Sequence, residues 1–154
     1  MTRLDLFLPD DTATTRLGQC WAEQAGPGMT LLLSGQIGAG KTHFARALIQ
    51  SRLGAGTEVP SPSFTLIQTY EDDRGDIWHV DLYRLSHPDE VIELGLEAAF
   101  SSAICLIEWP DRLGKLAPQD AIRLEFYVEG DGRRVVMTGP EPILTRLSDD
   151  WGRA

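Results

Sequence analysis

The sequence predicts an α/β sandwich with a mixed sheet, mainly parallel at its centre, and a C-terminal β-hairpin. Three observations carry this reading. Short apolar runs alternate along the chain with segments whose apolar residues recur at helical spacing. Two of the runs, Met29 to Ser34 and Ala103 to Ile107, are almost continuously apolar, as strands buried on both faces of a parallel sheet are. Near the end, Gly130, Asp131 and Gly132 separate two strand-like runs, the signal of a hairpin.

The elements follow in order. Leu4 to Leu8 reads as a short strand. Asp10 and Asp11 are cap candidates for a helix carrying Ala13, Leu17, Trp21 and Ala25 on one face, broken by Gly26, Pro27 and Gly28. After the strand at Met29 to Ser34, a second helix runs from Thr42 to about Leu53, with Phe44, Ala45, Leu48 and Ile49 inward. Gly54 to Ser63, with two glycines and two prolines, is a loop. Phe64 to Tyr70 and Ile77 to Asp81 pair as a hairpin around Asp73, Arg74 and Gly75, the second strand looking half-exposed. Pro88 to Phe100 is helical with an interruption at Gly95, and Ala103 to Ile107 is a strand that ends at Glu108. Ala121 to Val128 and Arg133 to Thr138 form the last hairpin. Beyond Pro140 the chain reads as a short helix and a frayed end. Residues 1–154 are thus expected to form a single domain, with 139–154 as a C-terminal helix and tail.

With 42% hydrophobic residues the chain can bury a core, which excludes disorder as a description of the whole. A net charge of −9 argues against gripping naked DNA or RNA by counterion release. Cys20 and Cys105 are too few for a framework of several disulfides, and neither is flanked like a metal ligand. Neither a signal peptide nor a run long enough to span a membrane is expected, so the reading is a cytoplasmic protein with no membrane partner.

Chemistry enters at Gly35-Gln36-Ile37-Gly38-Ala39-Gly40-Lys41-Thr42, which matches G-x-x-x-x-G-K-S/T, the phosphate-binding P-loop. It lies where the mechanism needs it, between an apolar strand and the start of an amphipathic helix. A chance match somewhere in a chain of this length has odds on the order of half a percent. The backbone N–H groups from Gln36 through Gly40 would cradle phosphate, Lys41 would reach the outer phosphates, and the Thr42 hydroxyl would ligate Mg²⁺. Lys41 is expected to project into solvent or onto phosphate rather than into the core. The fold expected is therefore a P-loop NTPase-like sandwich.

Such a site also needs an acid at a neighbouring strand end. Glu108 follows four apolar residues and is assigned to the metal. Asp81, ending a less uniform strand, is assigned to the attacking water. Both end strands near the same phosphates, so the reverse assignment stays open. Guanine readers carry an N/T-K-x-D element. This sequence has no Asn, and its other lysine, Lys115, is followed by Leu116 and Ala117, so ATP is the expected nucleotide. The loop Pro60-Ser61-Pro62-Ser63-Phe64-Thr65 reads equally as a γ-phosphate sensor or as an ordinary turn. His79 and His87 have no partners at metal or triad spacing and read as structural, and Trp109 reads as packing or, beside a catalytic carboxylate, as a contact for a partner.

Four ordered landmarks resemble the bacterial TsaE (YjeE) family: GQIGAGKT at 35–42, SPSFTL at 61–66, HVDLYRL at 79–85 and ICLIEWPDRL at 104–113. The resemblance extends from Leu6 to about Thr138. Two positions depart from the family pattern: Gln36 stands where Asp is usual, and Ser63 where Thr is common. The resemblance implies an ATPase that supports threonylcarbamoyladenosine formation on tRNA. It would act on a heterodimeric partner of the TsaD–TsaB kind and meet tRNA only through that complex. It further implies that Lys41 and Thr42 contact phosphate and metal, that Glu108 completes the Mg²⁺ site, that Asp81 is catalytic, and that Asp11 or Thr12 with Arg133 surround the adenosine. Two other readings share the P-loop. A small-molecule kinase would need an acceptor pocket and an arginine-bearing lid, and Arg46, Arg52 and Arg84 are scattered along the sequence. A nucleotide switch that does not hydrolyse would only recruit partners.

Overall fold

The computed structural model describes residues 1–63, 65–87 and 89–153. Phe64 and Pro88, where the sequence reading starts a strand and a helix, lie outside the described residues, as does the last residue of the tail. The elements are β1 (Thr2–Leu8), α1 (Asp11–Gln24), β2 (Thr30–Gly35), α2 (Lys41–Leu53), β3 (Ile67–Asp72), β4 (Gly75–Asp81), α3 (Asp89–Glu93), α4 (Leu96–Ser102), β5 (Ile104–Glu108), a 3-10 helix (Pro110–Leu116), β6 (Ile122–Glu129), β7 (Gly132–Gly139) and α5 (Glu141–Arg153). The sheet has seven strands among these residues, in the order β1-β7-β6-β2-β5-β4-β3. Its centre, β6-β2-β5-β4, is parallel. The flanking pairings are antiparallel, because β3–β4 and β6–β7 are hairpins and β1 folds back along β7.

The two faces explain the apolar runs. Leu31 and Leu33 of β2 join Leu17, Trp21, Phe44 and Leu48 in a core between the sheet and α1, α2 and α5. Leu32 points to the other side, where it meets Val80, Cys105, Ile107, Val91 and Leu96 under α3 and α4. A central strand covered on both faces is therefore read as a nearly continuous apolar run. Cys105 lies in that second core, and burial pushes its thiol up to about 12; both cysteines are free and buried. Asp10 caps α1 by accepting the Ala13 N–H at 2.9 Å. The expected interruption at Gly95 separates α3 from α4. No helix among the described residues is long and apolar enough to cross a membrane.

Three expectations need correction. The segment beyond Pro140 is not a short helix with a frayed end but a 13-residue helix. Leu144 and Leu147 of α5 enter the core. The Arg16 guanidinium of α1 stacks 3.9 Å from the Trp151 ring and donates to the Trp151 carbonyl, which clamps α5 in place. β4 is not half-exposed: Ile77, His79 and Val80 are wholly buried, because β5 and β3 flank the strand and its two faces enter the two cores, Ile77 in one and Val80 in the other. β3 begins at Ile67, and Leu66 before it has a left-handed backbone (φ 67°) that ends the turn.

The end of β2 lies close against β6. Gly35 pairs with Phe126 of β6 and has φ 142°. A Cβ there would stand 2.5 Å from the Phe126 carbonyl oxygen, which is backbone and cannot swing aside. Gly35→Ala is therefore expected to lower stability by about 3 kcal/mol, from overpacking and backbone strain together. Urea unfolding measures it as a lower midpoint at unchanged slope. A variant as stable as the parent would remove the steric argument.

Candidate functional site

Parallel strands deliver their carboxyl ends to one rim of the sheet, and ligands in such sheets bind there. Here β2, β4 and β5 end at Gly35, Asp81 and Glu108, with Asp81 and Glu108 opposite one another in register. The P-loop rises from β2, and α2 opens at Lys41 after Gly40, whose backbone is left-handed (φ 107°). No side chain caps the first turn of α2, so its N–H groups face the loop with the positive end of the helix behind them.

The loop and strand ends enclose a cavity of about 490 Å³. Of the residues singled out from the sequence, Asp11, Ile37, Gly38, Gly40, Lys41, Thr42, Ser63, Asp81, Glu108, Trp109 and Arg133 line it. Thr12, Gln36 and Ala39 do not. Thr12 and Gln36 are exposed, and the Ala39 side chain is wholly buried beneath the loop. Arg133 reaches the loop from β7 and donates to the Gly38 carbonyl at 3.0 Å.

Lys41 corrects its expectation. It is only 5% exposed. Its Nζ donates to the Gly35 carbonyl and lies 3.9 Å from the centre of the Trp109 ring, a cation–π contact. Burial pulls its pKa below the usual 10.5, while the carboxylates of Glu108, Asp81 and Asp111 pull it back up. Trp109 is thus part of the site rather than mere packing. A left-handed backbone (φ 61°) right after β5 turns its ring over Lys41 and against Tyr83, with ring centres 4.9 Å apart.

The two acids differ in their company. Glu108 is 2% exposed and accepts the Thr42 hydroxyl at 2.9 Å on Oε1. Its Oε2 lies 2.7 Å from Nε2 of His79. Asp81 accepts the Tyr83 N–H at 2.9 Å on Oδ1 and is met by the Ser63 hydroxyl at 3.4 Å on Oδ2. Ser63 in turn shares a hydrogen bond of 2.7 Å with Ser61. It is Glu108, not Asp81, that stands beside Thr42. Two hard oxygen donors suit Mg²⁺, which keeps several waters and takes substrate oxygens for the rest. No group of three His, Cys, Asp or Glu that could hold a metal by itself occurs among the described residues. A cation between Thr42 and Glu108 would depend on oxygens brought by a ligand.

The sequence reading missed Thr14, His43, Tyr83 and Arg84, which also line the cavity. Tyr83 and Arg84 lay in view within the block 79–85, two and three residues past Asp81. His43 follows Thr42 directly and meets the Thr15 hydroxyl at 2.8 Å across α1 and α2, a contact with no trace in spacing. Of the arginines read as scattered, Arg84 is at the site, whereas Arg46 bonds to the Val59 carbonyl and Arg52 to Asp72.

A family model described as "Threonylcarbamoyl adenosine biosynthesis protein TsaE" matches residues 8–136. The chain is 36% identical over 135 residues to the tRNA threonylcarbamoyladenosine biosynthesis protein TsaE of Rickettsia bellii, covering 88% of this chain and 94% of that protein. It is 35% identical over 124 residues to the protein of the same name from Bacillus subtilis, covering 80% and 77%. Among solved structures, the crystal structure of YdiB from Bacillus subtilis superposes with a TM-score of 0.79 at 26% identity, over 99% of this chain and 95% of that one. Matched by that model and by those relatives over most of its length, the chain belongs to the TsaE family.

Proposed function

We propose that this chain binds ATP with Mg²⁺ and hydrolyses it to ADP and phosphate in the cytoplasm, in support of threonylcarbamoyladenosine formation on tRNA. The observation that carries the reading is the convergence of a P-loop, Lys41, Thr42, Glu108 and Asp81 on one cavity at the carboxyl ends of three strands. The names of its TsaE relatives supply the pathway. The partner would be a heterodimer of the TsaD–TsaB kind that itself holds the tRNA; a chain of net charge −9 suits docking on protein better than gripping RNA.

The backbone of the loop and the first turn of α2 would hold the phosphates, and Lys41 would turn from the Gly35 carbonyl to the outer phosphate oxygens. Thr42 and Glu108 would hold the cation. Bound there, Mg²⁺ would neutralise charge on the β- and γ-phosphate oxygens. Asp81, oriented by the Tyr83 N–H, would accept a hydrogen bond from the attacking water and align it. Asp11 and Arg133 would flank the adenosine.

Phosphate release tests this reading. With Lys41 and Arg133 engaged by carbonyls of the loop itself, the free chain is expected to turn over slowly. Adding the partner heterodimer should raise the rate; a positive charge supplied in trans is worth roughly 10³–10⁵. A free chain already at the partner-saturated rate overturns the regulated-ATPase reading. Phosphate appearing on an added small-molecule acceptor instead of in solution would favour a kinase, and nucleotide binding without any phosphate release would favour a switch.

The acids are separable in the same assay. Glu108→Ala should keep ATP binding but lose turnover, with partial recovery in excess Mg²⁺. Asp81→Ala should also bind, and its defect should not respond to Mg²⁺. Rescue of Asp81→Ala alone would reverse the two roles.

A further inference from the structure

His79 has no task among the phosphate, cation and water contacts of the proposed ATPase. It is wholly buried in β4, yet its Nε2 lies 2.7 Å from Oε2 of Glu108 on the neighbouring strand. The other oxygen of the same carboxylate accepts the Thr42 hydroxyl. Glu108 is thus held from two directions, and its remaining freedom is small. An ionised Glu108 accepts the Nε2–H of the imidazole, and Nδ1 is left on the far side of the ring. No hydrogen-bond partner meets Nδ1 among the described residues. An unsatisfied nitrogen in an apolar interior is unfavourable, and an apolar side chain would fill the same space without that penalty. What the imidazole adds is its bond to Glu108.

We propose that His79 is a positioning residue: its Nε2–H fixes the Glu108 carboxylate so that the free lone pairs of Oε1 face the cation site beside the Thr42 hydroxyl. The inference rests on Thr42 and Glu108 being the Mg²⁺ site. Carboxylates that ligate metals are themselves held by hydrogen bonds, and loss of such a support commonly weakens the metal roughly 10–100-fold. His79 does not touch nucleotide in this scheme. It acts through Glu108 alone.

The test uses Mn²⁺ as the probe, followed by electron paramagnetic resonance in the full chain with a non-hydrolysable ATP analogue. His79→Met removes the donor and keeps an apolar filler; His79→Gln restores an N–H at similar reach. The Met variant is expected to bind Mn²⁺ roughly 10–100-fold more weakly in the presence of the analogue. The Gln variant should stay within about threefold of the parent. Affinity for the analogue without cation should be unchanged in both. Equal Mn²⁺ affinity in the Met and Gln variants overturns the proposal. A parent protein that gathers no Mn²⁺ with the analogue overturns the Mg²⁺ site itself, which is a separate failure. Should the Met variant not fold, nitrogen-15 resonances of the parent's imidazole decide: Nε2–H supports the proposal and Nδ1–H overturns it.

Discussion

Lys41→Ala is expected to lose roughly 100-fold or more in affinity for ATP, because a charge-assisted hydrogen bond to phosphate in a sheltered site is worth about 3 kcal/mol. Calorimetry on the purified variant measures it, and unchanged affinity would remove the P-loop assignment. The structure sharpens the expectation in one respect. Lys41 does not wait in solvent; it lies 5% exposed between the Gly35 carbonyl and the Trp109 ring. Removing it deletes both contacts and leaves Glu108 and Asp81 without the cation that faces them. Arginine should not rescue the site, since its broad guanidinium needs more room than a buried ammonium occupies.

Asp72→Ala is expected to destabilise the fold by about 3 kcal/mol, the low end of the cost of breaking a buried ion pair, because Arg52 and Asp72 are part-buried. Arg52 of α2 bonds both oxygens of Asp72, at 2.7 and 3.3 Å. Its other nitrogen donates to the carbonyls of Ala22 and Ala25 and so closes the end of α1. One guanidinium therefore ties α1, α2 and the β3–β4 hairpin together, and without Asp72 its part-buried charge has no carboxylate opposite it. The pair also predicts a pH dependence. Burial pushes the Asp72 carboxyl up, but the Arg52 hydrogen bond, the Arg74 N–H and the two positive charges outweigh it and hold the pKa below the usual 3.8. A depressed acid contributes stability that is complete above its unfolded value and is lost as pH falls through its folded one. The gap in stability between the parent and Asp72→Asn should accordingly narrow below about pH 4. A gap constant across that range would show that the carboxylate's charge plays no part.

What the sequence made legible was what is local or repetitive. The P-loop is eight consecutive residues. The central strands announce themselves because both faces are covered, and Asp81 and Glu108 were visible as polar ends to apolar runs. What it hid depends on which strands lie side by side. His79 and Glu108 are 29 residues apart and meet only because β4 pairs with β5 in parallel. The burial of Lys41 depends on a left-handed backbone at Trp109, a conformation that no rule of residue preference assigns to tryptophan. α5 is a different case. Ile143, Leu144, Leu147 and Trp151 recur at helical spacing, and the pattern was available to be read.

The first strand is synthesised long before its partner. β1 pairs with β7 alone, Thr2 opposite Gly139 and Leu8 opposite Arg133, so it leaves the ribosome with nothing to pair with until the last hairpin follows. Until then it is an unpaired strand exposing Leu4, Leu6 and Leu8, the kind of surface that aggregates or recruits a chaperone. The same delay applies to the cavity. The loop that begins it is made early, but Arg133, its wall on the β7 side, arrives only with the final hairpin. Whatever the cavity holds, it encloses only once β7 has been made, so a ligand can stabilise the folded protein but cannot template the folding of the segments made before β7.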